Sequence, residues 1–537
     1  MLYFLPAWYE KNSYRELEQA WHTRRMHTEF DDTVKQVQLF NRNKLMDYKI
    51  LLLSYTPNFR HFLHRQGVFH APYWSCFDCI QQVKRKSIQV FSFHNLSWPE
   101  DIEFVYTPFV VCAFLKGEKY AQIEFGEAGN PIAIDMYEKG EVSRRNIYDD
   151  RGFVSSTAVF SQGQLEYTDY LTEKGIRKFR HFAADGHVEI NPKSDSFYIF
   201  DEENIYERKF LKQNYDHIEE MLLEVFMANM EKDSADSIYC VAMHRLNVGL
   251  VRSLIDSKRV IMSFYGERHR MKDNMDSADL VKKARYLITD SEATSRYLQR
   301  EVGQDFDNLT DLTPYDSRVD FGISQQLTVQ NILVPVDDLP DDRFSDLIAY
   351  LAMYLSINEL AMVHLFTRNA SFNLPDMLLE KVANILEEKG MDRRMAIAET
   401  KDRTAENDVD AEQEQEAEEV PMRFFVDQCV DELAVSRCMR EQRIMVDMRH
   451  NPDLFLQINC ISAGIPQVVR RETNYVKDGK NGIITRDISY VPAAVEYFLD
   501  SLNNWNQAKI YSYELGQEFT TKKIVEKWKK VLEAVEK

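Results

Sequence analysis

Glycine and proline are scarce in this chain, at 18 and 15 of 537 residues. That excludes collagen-like and low-complexity chains. Cysteine is scarce as well. The seven thiols are Cys76, Cys79, Cys112, Cys240, Cys429, Cys438 and Cys460. An odd, scattered set excludes a disulfide framework and fits reduced thiols in a cytosol. Cys76 and Cys79 form a C-x-x-C, but no second pair stands at zinc spacing, so both read as buried thiols. No apolar run is long and uncharged enough for a bilayer span. The longest, 346–366, contains Asp346, Asn358, Glu359 and His364 and reads as a buried amphipathic helix. The start, MLYFLPAWYE, lacks the basic region and apolar length of a signal peptide. A basic excess is also missing: 66 Lys and Arg face 86 Asp and Glu, a net charge of −20. No footprint for nucleic acid or anionic lipid stands out. P-loop, Gly-x-Gly-x-x-Gly and nucleophile-elbow motifs are absent, which takes away the usual marks of a motor ATPase, a dehydrogenase and a hydrolase.

What is present is an ordinary globular balance, 44% apolar and 28% charged, with aromatics high at 12%. The length predicts two or three domains. Leu2 to Ala7 reads as a buried parallel strand, Glu16–Phe40 as helical, and KILLLSYTP at 49–57 as a second strand. This is the opening of a doubly wound α/β domain. From 86 to 195 short alternating segments with turns such as Lys116-Gly117 and Asp185-Gly186 predict an antiparallel meander inserted in that domain. Helix and strand alternation returns near 196, with FYIFDEE as a strand and Phe210–Lys232 as a helix. A second α/β unit follows, opening with strand 331–336 and helix 343–366. The expected divisions are 1–85 and 196–322 for the first Rossmann-like domain, 86–195 for the meander, 323–505 for the second Rossmann-like domain, and 506–537 for helices packing back on the first. Residues 399–420 hold ten Asp or Glu and no aromatic. They read as a mobile acidic loop.

The stretch Asn451–Asp487 resembles the C-terminal signature of retaining GT-B glycosyltransferases. Ala463-Gly464-Ile465-Pro466 closes a helix and opens a strand, and Asp478-Gly479-Lys480-Asn481-Gly482 forms the following loop. Active members carry two glutamates at the places of Asn451 and Asn459, which grip the donor sugar and the ribose. Both are amides here. Active members also hold the donor diphosphate with Arg and Lys after the first strand of this domain. Here that loop carries Asp337, Asp338, Asp341 and Asp342, with Arg343 the nearby base. Each close like-charge contact with a diphosphate would cost on the order of 1 kcal/mol.

With MLYFLPAWY, the meander and YDDRGFVSS at 148–156, the whole chain resembles the glycosyltransferase-like member of the three small accessory Sec proteins of streptococci and related Gram-positive bacteria. The resemblance implies a GT-B-like α/β fold, two Rossmann-like domains facing a cleft with the antiparallel meander in the first. It implies no catalysis, no cofactor and no metal. The implied partners are two sister accessory secretory proteins, the accessory Sec motor ATPase and a serine-rich glycosylated adhesin, with the meander a surface for its GlcNAc-bearing polymer. The implied place is the cytoplasm, peripheral to the inner face of the membrane through partners, with no direct insertion. The alternative is an active glycosyltransferase that modifies the adhesin from a UDP-sugar. A third reading is a targeting factor for the motor.

The degenerate donor positions are thus Asn451, Asn459, Gly464, Asp337 and Asp338. Candidate cleft surface follows two strand ends of the first domain, at His244 and at Tyr265, Glu267 and Arg268, because ligands sit at the carboxyl ends of parallel strands. A satisfied structural histidine is the plainer reading of His244. His94, Asn95 and Trp98 read either as sugar contacts or as an ordinary strand edge. Arg144, Arg145 and Lys174 to Arg180 read as solvated faces.

Overall fold

A computed structural model describes all residues except 10–12, 15–19, 23–29, 202–203, 274–276 and 398–420. The acidic segment 399–420 and much of the expected helix Glu16–Phe40 lie outside the described residues. The helix that is described there runs from Asp32 to Asn43.

The continuous apolar runs near the N-terminus become strands buried on both faces. The first sheet has seven parallel strands in the order Leu309–Asp311, Tyr286–Thr289, Arg259–Phe264, Ile238–Ala242, Leu2–Leu5, Tyr48–Leu52, Tyr73–Ser75. The second has six in the order Phe424–Gln428, Ala361–Thr367, Gln330–Pro335, Gln442–Asp447, Gln467–Val469, Gly482–Ile484. In both, strand order reverses beside the first strand, so both are doubly wound. All pairings within these two sheets are parallel.

Between helix Cys76–Ile80 and helix Ile218–Met230 lies a ten-stranded antiparallel sheet, from Ile102–Tyr106 to Asn214–Tyr215. Its tight turns follow the sequence closely. At Lys139-Gly140 both residues have positive φ, 54° and 83°. This is the backbone twist a two-residue hairpin needs, and glycine meets it without strain. Buried ion pairs fasten the sheet to the first domain. Arg151 is bidentate to Asp78 at 2.9 and 2.7 Å and to Asp149 at 2.7 Å. Asp150 accepts from the backbone N–H groups of Arg60 and His61.

Three expectations change. The stretch 346–366 is two elements, helix Asp341–Ile357 and strand Ala361–Thr367. Asn358 ends the helix in an extended conformation, and its side chain accepts from the N–H groups of Leu360 and Ala361. FYIFDEE does not enter a parallel sheet. It pairs with Asn204–Lys209 as a separate hairpin. The helix expected at Phe210–Lys232 begins only at Ile218, because Asn214–Tyr215 pairs with Val188 and Glu189 at the edge of the antiparallel sheet.

At the C-terminus, helix Leu502–Gly516 sends Trp505 and Ala508 into the core of the second domain. Helix Thr521–Glu536 crosses back to the first. There Trp528 is fully buried against Phe4 and Phe40.

Candidate functional site

The carboxyl ends of the two parallel sheets face each other across a cleft of about 170 Å³. Tyr265, Gly266 and Glu267 follow strand Arg259–Phe264, and Asp290, Ser291 and Thr294 follow strand Tyr286–Thr289. From the second domain come Asn451, Leu454, Arg471 and Thr473. Glu267 pairs with Arg270 and lies 3.6 Å from His450 and 3.8 Å from Arg471. Partial burial raises its pKa, but Arg270, Asn451 and His450 outweigh it and hold the carboxyl below its ordinary range. The tyrosine hydroxyl of Tyr265 meets that of Tyr315, and burial pushes it far above the phenol range.

An aromatic plug joins the domains beside this cleft. Phe30 and Phe455 have ring centroids 4.9 Å apart, and Tyr315 lies 5.3 Å from Phe455. Tyr315 donates to the backbone oxygen of Phe30. The Arg368 guanidinium lies 3.7 Å over the Phe30 ring and 2.8 Å from Asp453. Such a stack is stronger where water is excluded.

The structure separates the candidate cleft residues. Tyr265 and Glu267 line the cleft. Arg268 is consumed beneath it by Asp31 at 2.9 Å and Asp32 at 2.6 Å, the capping residue and first residue of helix Asp32–Asn43. His244 caps the turn Arg245–Asn247 through Nδ1 and packs on Tyr9. In the meander, His94 lies in the turn Phe93–Asn95 and meets the Tyr106 hydroxyl, and Trp98 donates to Phe93 O.

The donor-motif positions are also divided. Asn451 lines the cleft. Asn459 donates to Phe455 O at 2.7 Å and lines a separate groove of about 560 Å³ with Lys35, Arg42 and Arg318, whose wall includes Tyr315 and Phe455. Gly464 is the left-handed cap of helix Leu454–Ala463, φ 73°. The four carboxylates of 337–342 do not converge. Asp337 turns inward and accepts from Thr367 Oγ1 and the Arg368 N–H. Asp338 is exposed, Asp341 pairs with Lys381, and Asp342 is exposed. Arg343 is not the lone base either. Burial, with Arg343, Arg486 and Arg471 close by, pulls the Arg470 guanidinium below its ordinary range. Strands Gln467–Val469 and Gly482–Ile484 are neighbours in the sheet, so the arginines after each meet.

Several site residues were not singled out from the sequence. Asp453 caps helix Leu454–Ala463 by accepting from Phe455 N at 3.0 Å and Leu456 N at 3.1 Å. Arg449 is buried and bidentate to Asp447 at 2.8 Å. A helix N-terminus attracts an anion, and here the chain's own Asp453 supplies it. The alternation Asp447-Met448-Arg449 at the end of strand Gln442–Asp447 was the available signal. Among the described residues no group of His, Cys, Asp or Glu could hold a metal ion.

Two doubly wound domains facing a cleft, with a β-meander inserted in the first, define a GT-B glycosyltransferase-like protein. The chain belongs to the accessory Sec system protein family whose member is accessory secretory protein 1, and the family model matches residues 1–535. A curated Streptococcus gordonii member is 31% identical over 550 residues, covering 99% of both chains. A crystal structure of accessory secretory proteins 1, 2 and 3 from Streptococcus pneumoniae contains a chain 27% identical, TM-score 0.76, covering 100% of this chain and 99% of that one. The pneumococcal O-GlcNAc transferase GtfA, solved with UDP and GlcNAc, shares the fold at 12% identity and TM-score 0.68, covering 99% and 98%. The protein is therefore an accessory component of a protein-secretion system built on a glycosyltransferase-like fold.

Proposed function

We propose that this chain is a non-catalytic assembly component whose donor site is filled by its own side chains. The observation that carries the reading is Asp453, which takes the helix N-terminus and pairs with Arg368 where a donor phosphate would bind. Amides at Asn451 and Asn459, set on different sides of the plug, support it. The partners are two sister accessory proteins, since the solved pneumococcal relative carries proteins 1, 2 and 3 together. The motor ATPase and the serine-rich glycosylated adhesin complete the set, and the meander of 86–195 is the surface for the adhesin's GlcNAc-bearing polymer. The domain division read from the sequence is kept with two shifts: the meander takes in its edge strand Asn214–Tyr215, and helix Leu502–Gly516 goes with the second domain, which leaves Thr521–Glu536 to pack on the first. The place is the cytoplasm, at the membrane only through partners; among the described residues no helix is long and apolar enough to cross a membrane.

The enzymatic alternative draws on one observation, the Arg343, Arg470, Arg471 and Arg486 group at the strand ends, which could face a diphosphate. Co-expression with the two sister proteins tests the assembly reading. One co-eluting complex by size exclusion is expected, with no sugar added to a Ser-rich acceptor by that complex from UDP-GlcNAc. Separate elution of this chain, or mass added to the acceptor, would overturn the reading.

A further inference from the structure

The hairpin of strands Ser196–Asp201 and Asn204–Lys209 stands apart from the three larger sheets. Its inner strand is packed, with Phe197 and Tyr198 buried. Its outer strand, Asn204–Lys209, is exposed at all six residues. The outer strands of the larger sheets are only two to five residues long. Pairing in the hairpin is antiparallel without a register shift. Phe210 N–H donates to Asp195 O at 3.0 Å. Hydrogen-bonded pairs alternate along such a ladder. The pairs in step with that bond are Phe197–Arg208, Ile199–Tyr206 and Asp201–Asn204. Ile205, Glu207 and Lys209 therefore turn their N–H and C=O groups outward. The inner strand follows the same alternation on its far side. There Phe200 N–H donates to Asn229 Oδ1 and Asn229 Nδ2 donates to Tyr198 O. Among the described residues nothing pairs with the outward groups of Ile205, Glu207 and Lys209.

We propose that strand Asn204–Lys209 is a docking edge to which one of the two sister accessory proteins adds an extended strand. This rests on the assembly reading above. An open edge is a row of unpaired donors and acceptors, and its chemical complement is another extended main chain. The three outward residues offer three N–H and three C=O groups to that chain. Affinity comes from the main-chain bonds, and side chains on the two faces of the strand set the choice of partner.

Charged side chains often blunt an edge of this kind. Here they are engaged within the chain. Arg208 pairs with Glu231 at 3.0 Å, Lys209 with Asp195 at 3.0 Å, and Ser196 Oγ donates to Glu207 at 3.0 Å. The apolar side chains are the exposed ones. Ile205 and Tyr206 point to opposite faces of the strand, and both are exposed. Leu211 follows the strand and is 76% exposed. Its N–H donates to Glu224, one helical turn before the exposed Met227. The incoming strand is therefore apolar where it meets Ile205 and Tyr206. A second copy of this chain fits less well. Paired across all three outward residues it would set Glu207 directly against Glu207, and like charges placed so are destabilising.

The test compares hydrogen exchange of the full chain alone and in the complex co-expressed with both sister proteins, read residue by residue. The amides of Ile205, Glu207 and Lys209 should exchange about tenfold or more slowly in the complex. Glu207→Pro removes the central outward donor and leaves the inward N–H groups of Tyr206 and Arg208 in place. It should weaken the complex about tenfold or more, with the far-ultraviolet circular dichroism unchanged, and Glu207→Gln should assemble as the wild type does. A complex in which these three amides exchange as fast as in the free chain would overturn the edge, as would full co-elution of Glu207→Pro. Protection of the three amides in the chain alone, with the mass of a dimer, would assign the edge to a second copy and overturn the sister strand. Failure of the wild-type chain to co-elute at all would instead overturn the assembly reading, and the docking edge with it.

Discussion

Replacing Arg268 with methionine should remove about 3–5 kcal/mol of stability near pH 8, the range for breaking a buried charge network. Arg268 is the countercharge for two adjacent carboxylates, Asp32, which is buried, and Asp31, whose side chain is 14% exposed. It also donates to the backbone oxygens of Met243 and Ser263, which pins strand ends to the start of helix Asp32–Asn43. Burial and then the Asp32 charge push Asp31 up to about 7, even against Arg268. For Asp32 burial is outweighed by Arg268 and the carboxyl is held low. A carboxyl raised in the folded state stabilises below its unfolded pKa and loses that contribution as pH rises through about 7. Without Arg268 both carboxyls behave this way. The variant's deficit should be largest above pH 7 and shrink toward pH 5. Urea melts at pH 8 and pH 5 check this. An equal loss at both pH values would show that Arg268 acts through packing alone.

Asp149→Asn should cost a similar amount, about 3–5 kcal/mol, with no pH dependence between pH 8 and pH 5. Asp149 lies between Arg60 and Arg151, and all three side chains are almost wholly buried. Burial raises its pKa, but the two guanidiniums outweigh that and hold the carboxyl low. A depressed carboxyl stabilises above its unfolded pKa and loses that contribution only as pH falls through the folded value. The gap between wild type and variant should therefore stay flat from pH 8 to pH 5. Hydrogen exchange should quicken first in strands Glu141–Asp149 and Phe153–Ser161 and in helix Phe59–Arg65, the elements this network joins. Exchange that quickens only in the second domain would contradict the assignment of these ion pairs to the meander junction.

The sequence exposed its parallel strands well because both faces of each are buried. Leu2–Leu5, Ile238–Ala242 and Gln330–Pro335 are nearly continuous apolar runs with no competing period. The hairpin turns of the meander were legible for a local reason, since glycines such as Gly140 meet a positive φ. The 346–366 run was misjudged because helix and strand burial leave the same apolar mark when only Asn358 separates them. Asn214–Tyr215 owes its strand state to a partner more than 20 residues back, Val188, which no local pattern announces. The site was legible only in part. Asn451, Asn459 and Gly464 follow from a local motif, and Gly464 is the left-handed cap that motif requires. The directions of Asp337 and Asp341 were not legible, because they depend on the N–H of Arg368 and on Lys381. The plug of Phe30, Tyr315 and Phe455 brings together three distant parts of the chain. Arg268 reads as a cleft residue in sequence, yet its partners lie more than 200 positions away.

The central claim is that the chain's own side chains fill the donor site, and titration with UDP-GlcNAc by calorimetry tests it most directly. Millimolar affinity corresponds to about 4 kcal/mol, so even a weak remnant registers at millimolar ligand. The account predicts no saturable heat up to that concentration. Saturable micromolar binding would contradict it, because a diphosphate would then have displaced Asp453 from Arg368 and the helix N-terminus, with the arginines at 343, 470, 471 and 486 to receive it.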